Sequence, residues 1–231
     1  MTMNARDEIL GRIREALQVA APRPGAHDSN HSAKLPLPGP EDFRKVVPVV
    51  SPVYEEQRSL FAKYSEMLKT EFKVVSTIEA AAAEIRQLAT AGQWKRIATH
   101  HSPVTDSVCK NLGTALFYTD KPYAVADLEV CDAGVTSCEC LVAQTGSVMI
   151  SSRSCGGRAL SVLPPHHVVV ATRDQLLPDL SAAYALMRKK YEGNFPSCMS
   201  FITGPSRTGD IERILVLGAH GPKRLTVLLI G

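Results

Sequence analysis

From Val53 to Tyr118 helix-length stretches alternate with apolar segments too short to be anything but strands, and that alternation leaves few folds open. Leu60, Phe61, Tyr64, Met67 and Leu68 recur at helical spacing within Val53–Phe72, and Lys73–Ser76 follows as a short strand. Thr77 is placed to cap an alanine-rich helix that runs to Ala91, with Glu79 in its first turn, where an acid suits the positive end of the dipole. Arg96–Thr99 makes a second strand, Pro103 opens another helix at a position that proline tolerates, and Ala115–Tyr118 makes a third strand. Strands separated by whole helices pair in parallel and carry those helices on the faces of the sheet. The expected class is therefore α/β, with a mostly parallel sheet and flanking helices.

The pattern changes after Asp132. Val135, Leu141–Val142, Val148–Ile150 and His167–Ala171 are β-rich, with no helical period between them and with Gly134, Gly146 and Gly156-Gly157 as breaks. They predict a β-meander inserted in the α/β frame. A helix is expected over Asp174–Tyr191, where Leu176, Leu177, Leu180, Ala183, Tyr184 and Met187 share one side and Arg188-Lys189-Lys190 complements the carboxyl end of the dipole. Met199–Thr203 reads as a strand, Asp210–Leu217 as a short helix and Leu225–Ile230 as a closing strand. Ahead of this frame, Ala5–Val19 has the spacing of an amphipathic helix, and the next segment gathers Pro22, Pro24, Pro36, Pro38, Pro40, Pro48 and Pro52. Proline removes backbone donors and fixes φ, so that segment is expected to be extended. The expected division is an N-terminal amphipathic helix over 1–20, a Pro-rich linker over 21–52 and an α/β domain over 53–231.

Several functional classes are disfavoured by composition. The net charge is only +3 and the basic residues form no run, so the stripe that nucleic acid demands is missing. Charges interrupt the first eighteen residues, which leaves no apolar core for a signal peptide, and no stretch has the ~20 apolar residues of a membrane span. A cytoplasmic location is the default expectation. The six cysteines, Cys109, Cys131, Cys138, Cys140, Cys155 and Cys198, include no C-x-x-C pair and no iron–sulfur run. Reduced core thiols and no metal of the chain's own are expected.

Two neighbouring loops carry the strongest chemical signal. Gly204-Pro205-Ser206-Arg207-Thr208-Gly209-Asp210 follows an apolar strand and precedes the short helix expected from Asp210. Free N–H groups at a helix start attract anions, Gly204 lets the backbone approach a ligand, Ser206 and Thr208 offer hydroxyls, and Arg207 offers a planar fork for a carboxylate or phosphate. A capped turn accounts equally well for Ser206, Thr208 and Asp210; it accounts less well for an arginine at the positive end of a dipole. The second loop, Gly218-Ala219-His220-Gly221-Pro222, sets a histidine between glycines, where it titrates near neutrality as an acid–base group must. A solvated loop histidine is the plain alternative. Thr145-Gly146, with Arg158 beyond it, forms a third polar region. His220 and Asp210 are thus the candidates for moving protons. Gly204, Ser206, Arg207, Thr208, Thr145, Gly146, Arg158 and Gly221 are the candidates for holding a small anionic ligand.

The run Gly204-Pro205-Ser206-Arg207-Thr208-x-Asp210-Ile211-Glu212, followed by Gly218-x-His220-Gly221-Pro222, resembles the closing signature of the LUD-domain family. Gly134-Val135-Thr136, Thr145-Gly146-Ser147, Arg158, Ser161–Pro164 and His167 fall in the same family's order, so the resemblance extends from about Ala80 onward. It implies a fold of the NagB/RpiA/CoA-transferase-like group. It also implies a part in oxidising L-lactate to pyruvate beside partner subunits that carry the iron–sulfur clusters. Relatives commonly place an acid where this chain has Gln144, so a glutamate nucleophile of the CoA-transferase kind is not available at that position. A stand-alone isomerase or cyclo-ligase acting on a small anion, and a non-catalytic scaffold working through residues 1–20, remain alternatives on the sequence.

Overall fold

The computed structural model describes residues 5–18, 49–208, 216–217 and 221–231. The chain divides into two units, Met1–Lys45 and Val46–Gly231. In the first, Ala5–Gln18 forms helix α1, as its apolar spacing requires. The Pro-rich segment lies largely outside the described residues.

The second unit runs α2 (Tyr54–Leu68), β1 (Glu71–Val75), α3 (Ile78–Ala91), β2 (Arg96–Thr99), α4 (Pro103–Cys109), β3 (Ala115–Tyr118), α5 (Val125–Glu129), β4 (Ala133–Thr136), β5 (Cys140–Val142), β6 (Ser147–Ser151), β7 (His166–Thr172), β8 (Leu176–Leu177), α6 (Leu180–Tyr191), β9 (Met199–Ile202), β10 (Arg207–Thr208), β11 (Val216–Leu217) and β12 (Arg224–Ile230). The expected Thr77 cap is formed, and the helix that opens at Pro103 has a cap as well. Thr77 Oγ1 accepts the Ala80 N–H at 3.2 Å, and Ser102 Oγ accepts that of Thr105 at 3.1 Å ahead of Pro103. Each satisfies one of the orphan donors of a helix start.

Six strands form one sheet in the order β1-β12-β7-β4-β2-β3, every pair parallel. The second sheet has the order β8-β5-β6-β9, in which β5–β6 and β6–β9 are antiparallel and β5–β8 is parallel. The expected meander is corrected accordingly. Val135 and His167–Ala171 belong to β4 and β7 of the large sheet, and of the segments expected in the meander only β5 and β6 form an antiparallel hairpin. The expected helix over Asp174–Tyr191 is also shortened. Arg173–Gln175 makes one 3-10 turn, Leu176-Leu177 pairs with β5, and Pro178 cannot supply an N–H, so the helix starts after Asp179, which caps Ala182 at 2.8 Å. Of the helix expected over Asp210–Leu217, residues 210–215 lie outside the described residues, while Val216-Leu217 is a strand paired antiparallel with Arg207-Thr208.

Burial on both sheet faces explains the layering. Along β7, Val168 and Val170 pack with Ala81, Ile85 and Val108 of α3 and α4. The alternate residues Val169 and Ala171 pack with Leu141, Val148 and Ile150 of the small sheet and with Phe61 of α2. The small sheet buries its other face, Cys140, Val142 and Met149, against Ala183, Met187 and Tyr191 of α6. The unit is therefore layered helix, sheet, sheet, helix, and strands buried on both faces read as continuous apolar runs. Gly146 closes the β5–β6 turn at φ +64°, where a Cβ would come within 2.7 Å of Tyr64 Cβ.

Phe61 tests the inter-sheet core. It is fully buried and meets Phe72 edge-on with centroids 5.0 Å apart. Phe61→Ala is expected to lower the unfolding free energy by about 3–5 kcal/mol, read as a shifted urea midpoint. A loss below about 1 kcal/mol would mean that α2 is not part of this core.

Candidate functional site

Strands β6 and β9 build the floor of a cleft. Ile150 pairs with Ser200 and Val148 with Ile202. Met149 packs towards α6, and Phe201 packs against the same cluster, so Ile150, Ser200 and Ile202 share the opposite face. A cleft of about 290 Å³ lies over these residues. Its walls are the end of β6 (Ser151, Ser152), the segment holding Gly157, Arg158, Ser161 and Val162, the turn after β9 (Thr203, Gly204, Ser206), and Gly221-Pro222 ahead of β12. The Ser206 N–H donates to the Pro222 carbonyl at 2.9 Å, which joins the two loops picked out by sequence. Gly204 sits at φ +90°, where a Cβ would stand 3.0 Å from the Leu68 carbonyl oxygen, so this turn hugs the end of α2.

The structure thus brings together four of the candidates: Arg158, Gly204, Ser206 and Gly221. Thr145 stands at one remove, through a hydroxyl chain from Thr145 to Ser147 (2.7 Å) to Thr203 (2.8 Å), which lines the cleft. Gly146 is held in the hairpin turn against Tyr64. Arg207 lies outside the cleft lining, its guanidinium donating to the Leu68 carbonyl, and Thr208 is a backbone partner of Val216. Asp210 and His220 lie outside the described residues. Gln144 does not line the cleft either; its N–H donates to the Pro178 carbonyl at 2.9 Å.

What the cleft offers is donors. Arg158 spends only its Nε–H, on Ser197 Oγ at 3.3 Å, and among the described residues the rest of its guanidinium is unpaired. The hydroxyls of Ser161, Ser200 and Ser206 also have no hydrogen-bond partner among the described residues, although Ser161 is buried. No carboxylate lines the cleft among the described residues. Arg158 is exposed, and a guanidinium with N–H groups to spare beside three hydroxyls that can donate favours an anion.

Sequence reasoning missed the group that holds one wall in place. Glu139 lies between β4 and β5 with its side chain wholly buried. One carboxylate oxygen accepts from Ser151 Oγ at 2.6 Å, from Tyr191 OH at 2.6 Å and from Ser154 Oγ; the other accepts from Lys190 Nζ at 2.7 Å. Burial alone pushes this carboxyl up, but the hydrogen bonds from Lys190, Ser151, Ser154 and Tyr191 outweigh it and hold it below the usual carboxylate range. Ser151 both lines the cleft and belongs to this network. The signal available was an acid between two cysteines in an apolar run, and Lys190 was read only as a dipole partner.

The histidine pairs behave as alternate positions of a strand should. His166 Nε2 meets Thr226 Oγ1 at 2.8 Å, and His167 Nε2 meets Thr136 Oγ1 at 2.9 Å. Burial lowers their pKa values to about 4 and about 3, with Arg224 adding to the first shift and His166 to the second, so both are neutral. Past β2, His100 Nε2 accepts the Ser137 N–H at 3.3 Å, while His101 Nδ1 meets Asp106 at 2.8 Å and stacks on Tyr118. Burial pushes the thiols of Cys109 and Cys140 up to about 11 and about 12. Among the described residues no three His, Cys, Asp or Glu side chains are grouped to hold a metal ion, and no helix is long and apolar enough to cross a membrane.

The profile of the LUD domain matches residues 59–230. The chain belongs to the LUD domain family. Curated relatives of this LUD chain include a protein of Shouchella clausii named lactate utilization protein C, 32% identical over 112 residues, which are 48% of this chain and 49% of that protein. A Bacillus subtilis protein of the same name is 33% identical over 104 residues, 44% of this chain and 43% of its own length. The LUD chain thus spans about half the length of the curated relatives it matches. A crystal structure of a DUF162 family protein from Deinococcus radiodurans superposes with a TM-score of 0.62 at 23% identity, covering 78% of this chain and all of that one. That likeness bears out the α/β fold.

In this LUD domain, Glu139→Gln is expected to cost about 1–3 kcal/mol near neutral pH, because it leaves buried donors and the half-exposed Lys190 without a charged acceptor. The folded pKa lies below the ordinary 4.5, so the contribution is present above pH 4.5 and is lost as pH falls through the folded value. Denaturant midpoints of both proteins should therefore converge below about pH 4.5. A gap that stays constant down to strong acid would show that the charge is irrelevant.

Proposed function

We propose that this chain acts in L-lactate utilisation as an anion-binding subunit. It takes a small carboxylate or phosphorylated ligand in the cleft between β6, β9 and the loops ahead of β7 and β12. The observation that carries this reading is a convergence on one half-enclosed space: the Arg158 guanidinium, paired only through Nε, meets the hydroxyls of Ser161, Ser200 and Ser206, which have no partner among the described residues. Membership of the LUD family and the names of the curated relatives support the pathway.

In this role the chain works in the cytoplasm beside partner subunits that carry iron–sulfur clusters and accept the electrons. In support of that division of labour, burial raises the thiols of Cys109 and Cys140 and makes them poor metal ligands. Asp210 and His220 lie outside the described residues; in this proposal they are the groups that move protons.

Arg158→Lys keeps the charge but loses the planar fork. Losing one charge-assisted hydrogen bond is worth roughly 1.5–3 kcal/mol, and the exposure of Arg158 sets the expectation at the low end, about tenfold in Kd. Titration calorimetry with pyruvate and inorganic phosphate reads this, with the melting midpoint as a fold control. Arg207→Lys, whose guanidinium serves the end of α2, should cost less affinity than Arg158→Lys. If no anion, neither these two nor a longer carboxylate, binds the wild-type chain, or if Arg158→Lys leaves the affinity intact, the anion site is wrong. Purification from cells grown on L-lactate, with iron analysis of the co-purified proteins, tests the partners; a chain that comes alone removes them from the proposal.

A further inference from the structure

The floor of the cleft is the uncovered end of the inter-sheet core. Ile150 belongs to the cluster that the large sheet covers, and Ile202 packs partly against the same cluster. Towards the cleft that cover stops, and both side chains line open space with Val162, Cys198 and Pro222. Val162 is 42% exposed, an apolar side chain left at the edge of a polar loop. The donors Arg158, Ser161, Ser200 and Ser206 belong to the same walls, so one space combines an apolar surface with an anion-binding set. Its volume, about 290 Å³, falls near the lower end of cavities that enclose drug-sized ligands. A bare three-carbon acid would satisfy the donors and leave the isoleucine floor wet.

We propose that the occupant of this cleft is an amphipathic anion, a carboxylate or phosphate carried on an apolar body of about four to eight carbons. Arg158 and the serine hydroxyls take the charged head; Ile150, Ile202, Val162 and Pro222 take the body. This rests on reading the cleft as an anion site, and it adds the class of molecule that fills it. Charge complementarity at the walls and the exposed end of the core argue for such a ligand over a purely polar one.

Straight-chain monocarboxylates distinguish the anion-binding walls from the apolar floor. Acetate, butyrate, hexanoate and octanoate are titrated into the full chain by calorimetry below their aggregation concentrations, with hexanol as the uncharged control. Each buried methylene contributes roughly 0.8 kcal/mol, about fourfold in Kd, so affinity should tighten by about that factor per carbon and level off once the floor is filled. Hexanol should bind at least tenfold more weakly than hexanoate, and Ile202→Ser should flatten the slope with chain length. Equal affinity for acetate and octanoate overturns the amphipathic ligand but leaves the anion site standing. No binding by any acid overturns both. Hexanol binding as tightly as hexanoate would show an apolar slot without an anion site, and an unchanged slope in Ile202→Ser would place the acids elsewhere.

Discussion

The central strands β7 and β12 are apolar on both faces, and a strand of that kind is stable only if two separate layers cover it. Val168 and Val170 need α3 and α4; Val169, Ala171, Val227 and Leu229 need the second sheet. Once the second sheet is recruited, it presents a further apolar face, Cys140, Val142 and Met149, which α6 must cover in turn. The four layers follow one from another by the same requirement, that no sheet face of this kind remain in water. The candidate cleft is the place where the requirement is not met. At β9 the large sheet no longer reaches, and polar loops rather than apolar strands border the exposed face.

A buried carboxylate links this hydrophobic architecture to the site. Glu139 gathers Ser151 and Ser154 from the end of β6 and its following loop, and Lys190 and Tyr191 from α6. Its charge is desolvated, and four donors offset that cost, so the loop leading to Arg158 starts from a fixed point. The arrangement lets an arginine remain exposed while the turn behind it stays ordered by interactions of its own.

The local elements of the α/β half were legible because each carries its own signal. Thr77, Pro103 and the apolar period of α3 specify helices independently of context, and β2 and β3 fall where the apolar segments fall. The second half was less legible, because nothing in a short β-rich segment says which sheet it joins. Val135 and Leu141 look alike in sequence, yet the first is a central strand of the large sheet and the second the middle of the small one. Pro178 was a visible break inside the expected helix, overridden there by the leucine spacing on either side. In the site, the two glycine-containing loops were legible and do meet, at Ser206 and Pro222. That Arg158, and not Arg207, faces the space between them depends on packing 139 positions away in the chain, where the Leu68 carbonyl claims Arg207.

The position of β12 also sets a timetable for synthesis. In the large sheet β1 has no neighbour except β12, and β7 has β12 along one whole side. The hydroxyl of Thr226 donates to Glu71 across 155 positions of sequence. At ribosomal speeds of 5–20 residues per second, β1 leaves the tunnel roughly 8–30 seconds before its partner exists. β7 itself precedes its β12 partners by only the stretch from His166 to Arg224, roughly 3–12 seconds at the same speeds. In that time its valine-rich edge is an open template, able to pair with another nascent chain as readily as with its own missing strand. Yield in a cell is thus governed by how well the first two hundred residues are kept apart from their neighbours while the translating ribosome finishes the centre of the sheet.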